Sequence, residues 1–310
     1  MEENSGSPGE RAMEILFENR VALVTGAGAG IGRAYALDLA ERGAKVVVND
    51  TGKTPEGRWT ADEVVNEIRA GGGQACASHG SVATMKGGNQ MVETALDHFG
   101  GLDILINNAG ILRDRTFIKM TEEEWDQVVG VHLKGAFCVT QPAVKYMKEK
   151  QYGRIVFTAS SSGMYGNFGQ SNYGAAKMGV IGLMNTLKLE VGRYNIRVNT
   201  VAPNADTDMT RGVFPMDVAR RIRPQFNTPL VTYLCSRENP VSGMIFTMSA
   251  GWFARSAMVS GKGVCIGDAR RPIPAEEIRD RFDEIIGLDG PREFDACGDI
   301  YSLGRPLTGR

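Results

Sequence analysis

The chain has 310 residues, 42% hydrophobic and 23% charged, with 35 Lys and Arg against 36 Asp and Glu and a net charge of −1. That length can bury a large core, in one extended domain or two small ones, and the composition is that of an ordinary soluble globular protein. It excludes a basic nucleic-acid footprint, and no apolar run approaches the roughly 20 residues of a membrane span.

Met1 to Glu10 is polar and lacks the basic-then-apolar layout of a signal peptide, so residues 1–14 read as a disordered lead-in. Val21-Ala-Leu-Val-Thr25 is a buried strand, followed by a glycine loop and a helix near Ile31 to Arg42. Lys45 to Asn49 is a second strand, and a helix over Ala61 to Ala70 stops at Gly71-Gly-Gly73. A weak strand near Gln74 to Ser78 and a helix near Asn89 to Phe99 come next. They precede a strand at Asp103 to Ile106 and one helix from about Glu122 through the 140s. Arg154 to Thr158 is a strand, a helix carries Tyr173 to about Arg193, and Arg197 to Val201 and Gly243 to Met248 are the last strands.

This alternation predicts an α/β fold with a doubly wound parallel sheet, a Rossmann-like single domain over residues 15–251. After Gly251 the alternation stops. Residues 252–310 read as a C-terminal extension with one helix near Ala275 to Ile286. Cys76, Cys138, Cys235, Cys265 and Cys297 are odd in number and scattered, which predicts buried free thiols in a reducing, cytoplasmic setting. His79, His98 and His132 are too dispersed for a zinc site, so no metal is expected, and the C-terminal Thr308-Gly-Arg310 is no peroxisomal address.

Two motifs carry chemistry. Gly26, Gly30 and Gly32 fit T-G-x-x-x-G-x-G between a strand and a helix, where glycine lets backbone approach a pyrophosphate at the helix N-terminus. Asp50, at the end of the second strand, is placed to bind adenosine ribose hydroxyls and repel a 2′-phosphate, or simply to begin a turn with Thr51-Gly52. Arg33 either softens that preference or is a solvated charge. Downstream, Tyr173 and Lys177 stand one helical turn apart, with Ser160 thirteen residues before the tyrosine. An ammonium beside a phenol is expected to lower its pKa and make it an acid and base near neutrality. A surface Tyr and Lys is the bland alternative, opposed by the company of the glycine loop, Ser160 and the Asn107-Asn-Ala-Gly110 turn.

Together these residues resemble the short-chain dehydrogenase/reductase family from about Asn19 to Gly251. The resemblance implies that Tyr173 is the general acid and base and that Ser160 polarises the carbonyl. Lys177 would hold the nicotinamide ribose and tune Tyr173. It implies that Asn108, Ala109 and Gly110 pass the cofactor, that Ser81 and Val82 form its adenine-side turn, and that Ile31, Pro203 and Ala205 also bind it. The usual Asn of V-N-L-x-G is His132, either a proton relay or a structural core histidine. An acidic residue after the third strand is replaced by Gly80, and the usual P-G-x-x-x-T is Pro203-Asn-Ala-Asp-Thr207.

Those departures at His132 and Pro203, with Gly110–Arg115, Tyr165–Gln170 and Ala250-Gly-Trp252, resemble the (3R)-hydroxyacyl-CoA dehydrogenase branch of the family. The expected protein is an NAD-dependent oxidoreductase, a homodimer or homotetramer with Tyr173's helix in the interface. Gly174, Ala175, Ala176 and Gly179 would permit that packing. Its expected partner is a small-molecule substrate, an acyl-CoA thioester or a steroid-derived analogue, with no nucleic acid and no membrane. The alternatives are an NADPH-dependent 3-oxoacyl-carrier-protein reductase and a non-catalytic NAD-binding module.

Overall fold

The computed structural model describes residues 14–210, 215–267 and 272–302. Eight strands form one sheet: β1 Val21–Thr25, β2 Lys45–Asn49, β3 Gln74–Ser78, β4 Ile104–Asn107, β5 Gly153–Thr158, β6 Ile196–Asn204, β7 Ile245–Ser249 and β8 Trp252–Ser256. Their spatial order is 3-2-1-4-5-6-7-8. The helices that position the site are α1 Gly30–Glu41, α2 Thr60–Ala70, α3 Met85–Phe99, α4 Glu122–Val129, α5 Gly135–Lys150, α6 Ser161–Tyr165 and α7 Ser171–Val191. After them come α8 Met216–Ala219, α9 Thr228–Cys235, α10 Ala275–Asp280 and α11 Phe282–Ile286.

The first seven strands are parallel, and period-two alternation explains why they read as continuous apolar runs. Val24, Val48 and Ile106 face one layer with Leu39 of α1, Val65 of α2 and Leu234 of α9. Leu23, Val47, Leu105 and Phe157 face the other, with Met91 of α3, Val139 of α5 and Ile181 of α7. Each such side chain contributes about 1.5–3 kcal/mol by leaving water. The chain winds outward from β1 in both directions, so a crevice opens at the carboxyl ends of β1 and β4.

Three features differ from the sequence reading. The strands do not end at β7. Ala250 and Gly251, with φ of 50° and 83°, make a two-residue turn into β8, which runs antiparallel along β7. Trp252 and Phe253 on that strand are exposed, so it lacks the apolar run that marked the others. The single helix expected from Glu122 onward is interrupted by a π turn over Gly130–Lys134. The helix expected over Ala275 to Ile286 breaks at Arg281 into α10 and α11.

The thiols split as well. Cys76, Cys138 and Cys235 are buried in the sheet domain, whereas Cys265 and Cys297 lie exposed in the extension. Close packing of α3 on α5 has a local cause. Pro142 has no N–H for the Cys138 carbonyl one turn earlier, and a Cβ at Gly88 would stand 2.0 Å from that oxygen. No helix among the described residues is long and apolar enough to cross a membrane.

Candidate active site

The crevice is built first from backbone. Thr25 Oγ1 accepts the N–H groups of Asn108 and Ala109 at 3.0 and 3.1 Å, tying the ends of β1 and β4 together. Asn108 Nδ2 donates to the carbonyls of Thr25 and Gly26, both at 3.1 Å. A Cβ at Gly26, whose φ is +62°, would fall 2.6 Å from Ala109 Cα. One at Gly32 would fall 2.3 Å from the Gly26 oxygen. Gly32 therefore sits behind the loop rather than in the cleft, and its job is to let α1 approach β1.

Gly30 opens α1. Its N-cap, Ala29, supplies no side-chain hydrogen bond and the first turn holds no acidic residue. The leading N–H groups are left for an anion.

A cleft of about 330 Å³ lies over this loop. Gly26, Gly30 and Ile31 form its floor, Asn108, Ala109 and Gly110 one side, and Asp50, Ser81 and Val82 the far end. Asp50 does two things at once. It faces the cleft, and its carboxylate accepts the N–H groups of Gly28 at 2.9 Å and Gly52 at 2.7 Å. Gly28, which the sequence motif passed over, has no room for a side chain: a Cβ there would meet Thr60 at 2.3 Å and the Asp50 carboxyl at 2.8 Å. Arg33 is gripped by Glu67 at 2.5 and 2.6 Å. At the position lacking its acid, the Gly80 carbonyl accepts Asn49 Nδ2 at 2.9 Å, and the Ser81 hydroxyl is taken by the N–H of Ala83. The cradle of glycines, the uncapped helix and a carboxylate at the far end fit a dinucleotide.

A second cavity of about 740 Å³ adjoins the first, sharing Ile31, Asn108, Gly110, Thr207 and Met209 with it. Ser160 caps α6, accepting the Ser162 N–H at 3.1 Å, and Tyr173 stands in the first turn of α7. Both line this cavity, as do Lys177, His132, Pro203 and Ala205. Every catalytic residue named from sequence therefore faces one space, and all the cofactor residues except Gly32 line it or the cleft beside it.

The electrostatics differ from expectation. Lys177 does not reach for the phenol: Nζ donates to the Thr158 carbonyl at 2.5 Å and stands 5.5 Å from the Tyr173 ring centre. Burial brings the ammonium down to about 7. Tyr173 moves up from its ordinary value, because burial outweighs the hydrogen bond from Ser160, and the charge of Asp114 adds to the rise. The raised phenol is thus a proton donor, not the near-neutral base expected from Lys177.

His132 comes from the π turn, an irregularity common at functional sites. Nε2 lies 2.8 Å from the Ile111 carbonyl and 3.1 Å from its N–H, and the ring packs edge-on against Tyr173 at 5.0 Å. Gly110 makes room for it, since a Cβ there would lie 2.3 Å from the imidazole. Burial, helped by Lys177, lowers His132 to about 3, so the ring is neutral. Its Nδ1 and the Thr158 hydroxyl are buried without a hydrogen-bond partner, and both residues line a small cavity of about 10 Å³ with Lys177.

Sequence reasoning missed the roles of Thr25, Gly28, Thr158 and Asp114. Thr25 is the threonine of T-G-x-x-x-G-x-G, a pattern that does not state its part as an acceptor, and Thr158 carries no motif of its own. Gly28 was legible as a further glycine in the loop, had the spacing not been matched to a fixed pattern. Met209 and Thr210 line the cavity, and residues 211–214 that follow them lie outside the described residues.

The short chain dehydrogenase family matches residues 20–217. The peroxisomal multifunctional enzyme type 2 of Mus musculus is 46% identical over 278 residues, 88% of this chain and 37% of that protein. A hydroxyacyl-CoA dehydrogenase of Mycobacterium tuberculosis is 40% identical over 245 residues, 74% of this chain and 77% of its own length. The solved structure of full-length peroxisomal multifunctional enzyme type 2 from Drosophila melanogaster superposes with a TM-score of 0.81 at 40% identity. That match covers 95% of this chain and 51% of that one. The chain spans only part of the multifunctional relatives, yet by sequence and by fold it belongs to the short-chain dehydrogenase family and is an oxidoreductase of that family.

Proposed function

We propose that the protein interconverts a secondary alcohol and a ketone with NAD, and that its substrate is a (3R)-hydroxyacyl-CoA or an analogue built on a steroid side chain. The observation that carries this reading is the shared wall between the glycine cleft and the cavity holding Ser160 and Tyr173. When bound, a nicotinamide supplies the two-electron acceptor for the hydrogen on the carbinol carbon. Ser160 holds the substrate oxygen, Tyr173 exchanges its proton, and Lys177 fixes the ribose and the local charge. Because burial keeps Tyr173 protonated, the resting site is set to donate a proton to a ketone. Alcohol oxidation first needs that proton removed, so its rate rises toward alkaline pH.

His132, neutral and held by Ile111, serves best as a wall that orients the Tyr173 ring. A relay through its unpartnered Nδ1 to Lys177 is the second reading, favoured by the polar cavity they share. Replacement by Asn separates the two: a relay predicts retained turnover, a wall predicts a looser Tyr173 and a raised KM.

Asp50 supports NAD over NADP, since the Arg33 charge is already engaged by Glu67. A homodimer or homotetramer through α7 is part of the proposal, with a change of residues. Gly174 and Gly179 are closed off by Ser162 and Leu133 of the same chain, and Ala176 is buried. The outward stripe is Ala175, Met178, Gly182 and Leu189. We place the enzyme in the cytoplasm, with its five cysteines free. The division into residues 15–251 and an extension from 252 is kept as a functional one, the extension covering a substrate cavity, its own or a neighbour's.

The test offers resolved 3-hydroxyacyl-CoA thioesters and follows NADH absorbance. Selective turnover of the (3R) form is expected. Turnover of free alcohols with none on any thioester would move the protein to another branch of the family, and faster turnover with NADP would overturn the role of Asp50.

A further inference from the structure

Two stretches that stand out in the sequence, Gly110–Arg115 and Tyr165–Gln170, lie side by side and build one wall of the substrate cavity. Arg115 N–H donates to the Gly169 carbonyl at 2.8 Å. Asn172, fully buried, donates through Nδ2 to the carbonyls of Arg113 and Glu124, both at 3.1 Å. Glu124 in turn holds the Arg115 guanidinium at 2.6 and 2.9 Å. The backbone is therefore pinned on both sides of residue 114. Gln170 Nε2 then donates to Asp114 Oδ2 at 2.8 Å, while Asn167 Nδ2 donates to Gln170 Oε1 at 3.0 Å, which fixes the amide's orientation.

The result is a solvent-exposed carboxylate held on the lining of the cavity that contains the reacting groups. Among the described residues Asp114 is the only acid lining that cavity, and Lys177 is the only cation. The groups facing Tyr173 are Ser160 from the cap of α6, Lys177 one turn along α7, the neutral His132 ring, and Asp114 from the Gly110–Arg115 stretch. Lys177 is turned to Thr158 and only partly protonated at neutral pH, so it does not cancel Asp114.

We propose that Asp114 is a specificity-determining charge: held by Gln170, its carboxylate rejects substrates with a free carboxylate near the reacting carbinol and leaves the site to neutral acyl derivatives. In a 3-hydroxy acid the carboxyl carbon is two bonds from the carbinol carbon. Any pose that puts the hydroxyl on Ser160 and Tyr173 therefore brings the acid group into the cavity that Asp114 lines, where like charges repel, though less than at a buried site because Asp114 is exposed. An ester or thioester at that position carries no charge and meets no such barrier. The inference rests on the reading of the site as an alcohol dehydrogenase but not on coenzyme A itself.

The experiment compares (3R)-hydroxybutyrate with its methyl ester, the same skeleton with and without charge, in wild type and in Asp114→Asn. Asparagine keeps the acceptor for Gln170. Wild type is expected to prefer the ester, and Asp114→Asn to raise kcat/KM for the acid relative to the ester by about tenfold. Asp114→Glu restores the preference. In Asp114→Asn the oxidation pH profile moves to lower pH with both substrates, which loss of packing alone would not do. An unchanged acid-to-ester ratio, or an equal fall on both substrates with no pH shift, overturns the proposal. If the enzyme turns over neither, inhibition of whichever alcohol it oxidises by butyrate and by methyl butyrate gives the same ratio. Failure on coenzyme A thioesters with the ester-to-acid preference intact would refute the substrate assignment and leave this inference standing.

Discussion

The cleft over the glycine loop and the cavity around Tyr173 share a wall but are built from different materials. The cleft is made by main chain: a φ of +62° at Gly26, no space for Cβ at Gly28 or Gly32, and an uncapped helix end. Its specificity is steric, with the Asp50 carboxylate at the far end and Asp208 also on the lining. The cavity is made by side chains that burial has pushed off their ordinary pKa values: Tyr173 upward, Lys177 and His132 downward. Adjacent sites can thus fail in different ways, one by a lost fit and the other by a lost proton.

The largest expected effect is on the chemical side alone. Tyr173→Phe should lower kcat by about a hundredfold or more, while cofactor binding, measured by fluorescence titration, stays within about twofold. Retention of more than about a tenth of wild-type kcat, a barrier change under roughly 1.4 kcal/mol, would remove Tyr173 from the proton step.

The mirror-image experiment is Gly32→Ala, which touches no reacting group. Its Cβ would press on the Gly26 carbonyl, so cofactor affinity should fall tenfold or more and stability by about 1–3 kcal/mol. An unchanged affinity and melting temperature would mean that the loop is not the rigid cradle described.

Asp50 and Asp208 both bring charge to the cleft, and Asp50 is the one tied to the glycine loop. Two like charges about 4 Å apart cost around 4 kcal/mol at an effective dielectric of ~20. Asp50→Asn removes the charge and keeps an acceptor for only one of Gly28 and Gly52, which bond different carboxylate oxygens, and should cut the NAD-to-NADP ratio of kcat/KM by at least about tenfold. A ratio unmoved by that change would show that discrimination lies elsewhere.

The smallest effect sharpens the cavity's side of the comparison. Lys177 titrates at about 7 when folded and near 10.5 when unfolded, so the unfolded chain binds more protons between those values. The cost of burying it is present in full below pH 7 and is relieved as pH rises to 10.5. Lys177→Met should therefore melt roughly a few degrees higher than wild type at pH 7, with the gain shrinking toward pH 10.5. A gain independent of pH would mean that packing, not charge, is responsible.

By itself the sequence determined the parallel sheet, the glycine loop and the identities of Ser160, Tyr173 and Lys177. Those features are local: apolar periods of two and 3.6, glycine where a strand turns into a helix, and a four-residue spacing that one helical turn enforces. What only the tertiary structure decided is how residues distant in the chain share an environment. Burial set Tyr173 and Lys177 to values that their spacing did not predict, because desolvation depends on everything packed around them. The π turn that aims His132, the edge strand β8 with its exposed face, and the meeting of Asp114 with Gln170 across 56 positions left no local pattern. Each depends on which surfaces the fold presses together, and a linear pattern records a residue's own neighbours, not the partners the fold brings to it.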